Sequence, residues 1–236
     1  MTRELVITID GPAGAGKSTV SKLLAKRLGY IYVDTGAMYR AVAVLARDSE
    51  EADPLDESAL ENICLGLDLQ FVHKDGTLHL LANGRDVTTE IRRPEISSLA
   101  SAVSARPVVR ERLSEIQQRM GAAGGVVLEG RDMGTVVFPD ADVKFFLDAN
   151  PEIRSKRRYV ELEVKGEKTT PQEVYQQMVE RDRNDSSREL APLKPAADAI
   201  VVDSSHSQIE EVVQLMLGYI EKRRDARSAL LSTREA

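Results

Sequence analysis

Gly11-Pro12-Ala13-Gly14-Ala15-Gly16-Lys17-Ser18-Thr19 fits the pattern G-x-x-x-x-G-K-[ST]. Its glycines let backbone N–H groups curl around a polyanion, and a helix that follows presents its positive end to the same charge. The pattern means something only between a strand and a helix, and both are legible here. Leu5–Ile9 is an apolar, β-branched run ending at Asp10-Gly11-Pro12. Val20, Leu23, Leu24 and Leu28 then repeat at helical spacing, with Gly29 as the stop. Lys17 adds a mobile cation, and Ser18 or Thr19 a hydroxyl for a magnesium shell. These nine residues imply a site for a nucleoside triphosphate.

Working outward, Ile31–Val33 reads as a second strand and Ala37 to about Arg47 as a helix. Strand, helix, strand, helix in that order predicts an α/β layout with a mostly parallel sheet. The middle differs. A short helix over 55–66 precedes two alternating runs, Leu67-Leu69-Phe71 and Leu78-Leu80-Ala82, joined at Asp75-Gly76, which is a β-hairpin signal. Helical patterns return at 94–104 and 107–121, so the hairpin belongs to a subdomain inserted over 35–122. Val126–Leu128, Lys144–Leu147 and Ala199–Val202 complete five core strands. Charged helices are expected at 151–164 and 171–187, a last amphipathic helix from Gln208 to Arg223, and a frayed tail beyond it.

Composition removes several function classes. Of 236 residues, 42% are hydrophobic and 30% charged with no low-complexity tract, as in an ordinary folded chain with a real core. A net charge of −6 argues against general nucleic-acid binding. Cys64 is the only cysteine, so no internal disulfide or cysteine-based metal site is possible, and Leu60, Ile63 and Leu67 around it mark a core residue. The three histidines are scattered. No apolar run nears the ~18 residues that span a bilayer, and the N-terminus lacks a signal-peptide layout. A cytoplasmic monomer without membrane or nucleic-acid partners is expected.

Triphosphate sites serve switches, motors and small-molecule kinases alike. No Asn is followed by Lys, which removes the guanine-reading N-K-x-D. Arginine outnumbers lysine 22 to 10 and recurs beside acids at loop ends. Arg40 lies in Thr35-Gly-Ala-Met-Tyr-Arg40 after the second strand; Arg131 and Asp132 follow Val126–Leu128. Both stretches sit at the C-terminal sheet edge where open α/β proteins hold ligands. Arg181, Asp185 and Arg188 are spaced to line one helix face, and Arg110 opens the 107–121 helix. Taken singly these are surface pairs, and Arg154, Arg157 and Arg158 a solvated helix face. Beside a phosphate-binding loop they suit phosphoryl transfer between two phosphates, which demands many fixed cations and little else. A kinase for another small acceptor, such as shikimate or gluconate, and an ATP-dependent switch remain alternatives.

GPAGAGKST, DTGAMYR, EIR, GRDMGTVVFPDA, KFFLDA, RDRND and APLKPAADAIVVDSS together resemble the bacterial cytidylate kinase family across roughly residues 5–222. The resemblance implies a three-layer P-loop α/β fold with a five-stranded parallel sheet. It implies a core of 1–34, 123–153 and 186–225, a monophosphate-binding insertion over 35–122, and a short lid near 154–185. Gly11, Pro12, Ala13, Gly14, Ala15, Gly16, Lys17, Ser18 and Thr19 would hold ATP, with Mg2+ at Ser18. Arg154, Arg157 and Arg158 of the lid would cover ATP. Lys17, Arg40, Arg131 and Arg181 would carry the transfer, and Thr35, Ser101, Arg110, Asp132, Asp185 and Arg188 would join Arg40, Arg131 and Arg181 around CMP or dCMP. Thr35 stands where relatives often have Ser, which keeps the hydroxyl. Asn184 stands where some have Arg, leaving Arg154, Arg157 or Arg158 to close over ATP.

Overall fold

The computed structural model describes residues 3–49 and 51–232. They divide into two compact units, residues 33–122 and the remainder. In the larger unit the parallel sheet runs β2 (Ile31–Asp34), β6 (Val126–Gly130), β1 (Val6–Asp10), β7 (Val143–Asp148), β8 (Ile200–Asp203), and β2 carries the chain into the smaller unit. β1 lies parallel to both β6 and β7, and β7 to β8. All residues of β1 and β6 are buried, which is why both read as unbroken apolar runs. One face of the sheet packs Ile7, Ile9, Phe145 and Leu147 against α1 (Lys17–Leu28) and α8 (Ile209–Ser232), through Val20, Leu24, Val212, Val213 and Met216.

Register is what places the site. Asp10 is the ladder partner of Gly130, so the loops that leave β1 and β6 start side by side at the C-terminal edge of the sheet. After β7 the chain enters α6 (Pro151–Val164) and α7 (Pro171–Ser187), helices with proline in their first turn. Thr170 and Glu173 cap α7 reciprocally, so the break between the helices is written locally.

The smaller unit holds α2 (Thr35–Arg47), α3 (Glu57–Leu65), the hairpin β3 (Leu69–Lys74) and β4 (Thr77–Ala82), then α4 (Pro94–Val103) and α5 (Pro107–Gly121). Asp75 and Gly76 both have positive φ, 51° and 76°, as a two-residue type I′ turn demands. A two-residue strand, β5 (Arg85–Asp86), extends the hairpin to three strands. It is too short to leave a periodic trace in the sequence. Arg47, Asp48, Arg85 and Glu90 close a ring of ion pairs that ties this edge to the end of α2.

Two local expectations change. The helix expected to end at Arg223 continues as α8 to Ser232, so residues 225–232 of the expected frayed tail are helical; residues 233–236 lie outside the described ones. Arg224 explains much of this, stacking 5.5 Å over the Tyr30 ring and donating to its hydroxyl at 2.9 Å, while Arg227 reaches Asp142 at 3.3 Å. Arg188 does not share a helix face with Arg181: α7 ends at Ser187, and Arg188 is the extended residue behind it. Between β6 and β7, Met133–Val137 forms a single π-turn.

Candidate active site

Gly11 has φ 146°, and a Cβ there would stand 2.0 Å from the Leu147 carbonyl oxygen of β7. Only glycine lets the loop leave β1 so close to the neighbouring strand. Three of the loop's carbonyls are engaged by side chains. Pro12 O accepts from Lys17 Nζ at 2.6 Å, Ala13 O from Arg154 Nη1 at 3.0 Å and Ala15 O from Ser204 Oγ at 2.9 Å. Gly16 caps α1 in the left-handed conformation without a side-chain cap bond, so no side chain competes with an anion there.

Lys17 is buried, and its environment is mixed. Burial and the nearby Arg131 push its ammonium well below the usual lysine value, Arg181 adds to this, and Glu129 and Asp10 oppose it. Arg131 donates from Nε to Asp185 at 3.0 Å and from Nη1 to the Gly130 carbonyl at 3.2 Å. Asp185 is a hub, with Arg188 at 3.8 Å and Arg181 at 4.0 Å around the same carboxylate. Burial pushes the Asp185 carboxyl up, but Arg131, Arg181 and Arg188 together outweigh it and hold the group below the ordinary carboxylate value. Asp132, next to Arg131 in sequence, is buried. The arrangement brings Arg131 and Arg181 near Lys17 of the glycine loop, which is chemistry for stabilising transferred negative charge.

In the smaller unit, Asp34 caps α2 by accepting the Ala37 N–H at 2.8 Å, and Arg40 reaches back to its Oδ2 at 3.2 Å. Thr35 is buried at the start of the same helix. Arg110 is buried on α5, donating to the Ser104 carbonyl at 3.1 Å with its guanidinium 5.8 Å from the Tyr39 ring centre. Ser101 lies on α4, its carbonyl accepting from Ser104 Oγ at 2.7 Å.

The family model described as cytidylate kinase matches residues 7–222. The chain belongs to the cytidylate kinase family. Proteins named cytidylate kinase from Geobacter sp. (strain M21) and Geobacter sulfurreducens are 54% and 51% identical, over 93% and 95% of this chain and 94% and 96% of their own. A crystal structure of an uncharacterised Eubacterium ventriosum protein, 11% identical, shares the fold with a TM-score of 0.52 over 92% of this chain and 99% of that one. As a cytidylate kinase family member the chain is a phosphotransferase.

Of the lid arginines, Arg154 is not on a solvated face. It is buried, donating from Nε to the Ala149 carbonyl at 2.8 Å, bracing Ala13 O, and pairing with Asp182 at 2.7 Å. Arg157 donates to the Ser204 carbonyl at 2.6 Å, and Arg158 pairs with Glu161 three residues on. Among the described residues no cluster of His, Cys, Asp and Glu forms a metal cage, and no helix is long and apolar enough to cross a membrane.

Two buried acids next to Lys17 were missed in the sequence. Glu129, at the end of β6, accepts from the Tyr32 hydroxyl, and Asp10, at the end of β1, accepts two backbone N–H groups. The available signal was a single acid closing each apolar strand, VITID and VVLEG. Burial raises Asp10 to about 6 against those two backbone bonds, with Asp132 adding to the rise and Lys17 opposing it. A carboxyl raised on folding binds more protons in the native state, so its contribution is greatest at low pH and is lost as pH climbs from 3.8 through about 6. The unfolding free energy of the wild type minus that of Asp10→Asn should therefore shrink by up to about 3 kcal/mol over that window. Urea titrations at pH 4 and pH 7 measure it, and a difference that stays flat would refute the assignment.

Proposed function

We propose that this chain transfers the γ-phosphoryl group of ATP to CMP or dCMP, giving ADP and CDP or dCDP. The observation that carries the reading is Lys17, buried between the glycine loop and the Arg131–Asp185–Arg181 cluster. A phosphate oxygen of CMP attacks the γ-phosphorus in line as the bond to the β-phosphate oxygen breaks, and no protein nucleophile is needed. Lys17, Arg40, Arg131 and Arg181 are assigned to the transferring charge. Thr35, Ser101, Arg110, Asp132, Asp185 and Arg188 are assigned to the monophosphate.

Residues Gly11–Thr19 are assigned to ATP. Arg157 and Arg158 are assigned to ATP as well, and Arg154 acts through the loop carbonyl it braces. Mg2+ fits this donor set: it is held by one or two hard protein oxygens together with substrate phosphates and water, and Ser18 offers an exposed hydroxyl on the first turn of α1. Ser18 would hold the ion, which neutralises the donor phosphates when bound.

ADP release from ATP and Mg2+ with CMP, dCMP, UMP, AMP, GMP and shikimate as acceptors tests the whole reading. Turnover should depend on CMP or dCMP. Equal turnover without any acceptor would make the protein an ATP-driven switch, and turnover on shikimate alone another small-molecule kinase.

We assign the segment 154–185 the part of a lid that excludes water. Its own apolar cluster has three buried members, Leu162, Val174 and Met178, against sixteen in the main core. So small a core leaves the tip near Gly166 dependent on ligand for order. Amide exchange should slow in this segment when both nucleotides are bound, and equal protection with and without them would sink the idea.

A further inference from the structure

Asp10 is the last residue of β1 and precedes the glycine loop. Its Oδ1 accepts the Met133 N–H at 2.9 Å and its Oδ2 the Gly134 N–H at 2.7 Å. These are the opening N–H groups of the π-turn, and the first donors of any helical turn have no acceptor within it. Later donors do: Val136 and Val137 bond the Asp132 carbonyl at 2.9 and 3.3 Å, and Phe138 the Met133 carbonyl at 2.7 Å. Asp132, in the cap position, makes no side-chain cap bond. The cap comes from a strand 123 residues earlier.

The backbone of Asp10 is also the ladder partner of Gly130. One residue thus holds the chain on both sides of Arg131 and Asp132, by register before them and by its carboxylate after them. We propose that Asp10 is a positioning residue that fixes Arg131 and Asp132 against the root of the phosphate-binding loop, setting acceptor and donor in line. This rests on the reading that Arg131 and Asp132 hold the monophosphate. An ionised carboxylate is needed because both oxygens accept; an amide would turn an NH2 toward one of the two N–H groups.

The test compares wild type, Asp10→Asn and Gly134→Ala for kcat and KM with CMP at saturating ATP, for the Kd of a non-hydrolysable ATP analogue, and for thermal unfolding. Gly134→Ala acts from the other side. A Cβ there would lie 3.0 Å from Thr8 Oγ1 and 3.2 Å from Lys144 Cδ, tight contacts that press on the turn to the extent those side chains do not give, while Asp10 and the loop keep their side chains. Both variants should lower kcat/KM for CMP by about thirty-fold, equivalent to about 2 kcal/mol, and leave analogue binding within about threefold. A folded Asp10→Asn protein with wild-type kcat/KM for CMP overturns the proposal. So does a loss of analogue affinity that keeps step with the loss of kcat/KM, since Asp10 would then serve the loop alone. If Asp10→Asn does not fold, Gly134→Ala decides on the same two readouts. A wild-type protein that fails to phosphorylate CMP would overturn the functional reading first, which separates the two failures.

Discussion

Lys17→Met should yield a folded protein whose phosphoryl transfer is lowered by about 10³-fold or more. Methionine keeps the length of the stem in a buried place and removes the ammonium. In the ligand-free site that ammonium is costly: burial, Arg131 and Arg181 all disfavour its charge, and it leans on the Pro12 carbonyl at 2.6 Å. The variant should therefore unfold at the same or a higher temperature than the wild type. The cost appears only in the transition state, where charge moves between the β- and γ-phosphate oxygens and nothing of comparable reach replaces Nζ. Steady-state kinetics with ATP and CMP, beside a thermal melt, separate the two effects. Near-normal turnover in a folded variant would count decisively against the assignment.

The second large effect is on the choice of base. CMP and dCMP should be used well ahead of UMP, and Arg188→Met should erode that preference. Cytosine carries an N4 amino donor and an unprotonated N3 acceptor, whereas uracil carries an O4 acceptor and an N3–H. A buried carboxylate such as Asp132 suits the first pattern, and so does a guanidinium such as Arg188. Uracil would set an oxygen against the carboxylate and an N–H against the cation. Sites built on such hydrogen bonds discriminate by up to about 10⁴-fold, far beyond what shape alone achieves. Arg188 is fixed in place, with Nε on the Ala191 carbonyl at 2.8 Å and the Asp185 carboxylate 3.8 Å from Nη1. The measurement is kcat/KM for each monophosphate in both proteins. UMP equal to CMP in the wild type, or a CMP preference untouched in the variant, would show the base pocket to be misassigned.

What the sequence by itself determined is what neighbours along the chain decide. The glycine loop between an apolar strand and an amphipathic helix, the Asp75-Gly76 hairpin, and the paired helices divided at Gly166 and Pro171 all stand where their local chemistry put them. Each rests on φ preferences, caps or periodicity within a dozen residues, which is the range over which such signals act. Tertiary structure alone decided how the charges are shared. Arg131 and Asp185 are 54 residues apart and become one pair, and Asp10 takes its partners 123 and 124 residues away. Arg154 looks like any surface arginine until the fold buries it under Ala13, and α8 looks finished at Arg223 until Arg224 meets Tyr30, 194 residues earlier. Burial and strand order are collective outcomes of packing. Whether an arginine grips a phosphate, braces a carbonyl or extends a helix depends on what the folded chain brings against it, and no local pattern encodes that.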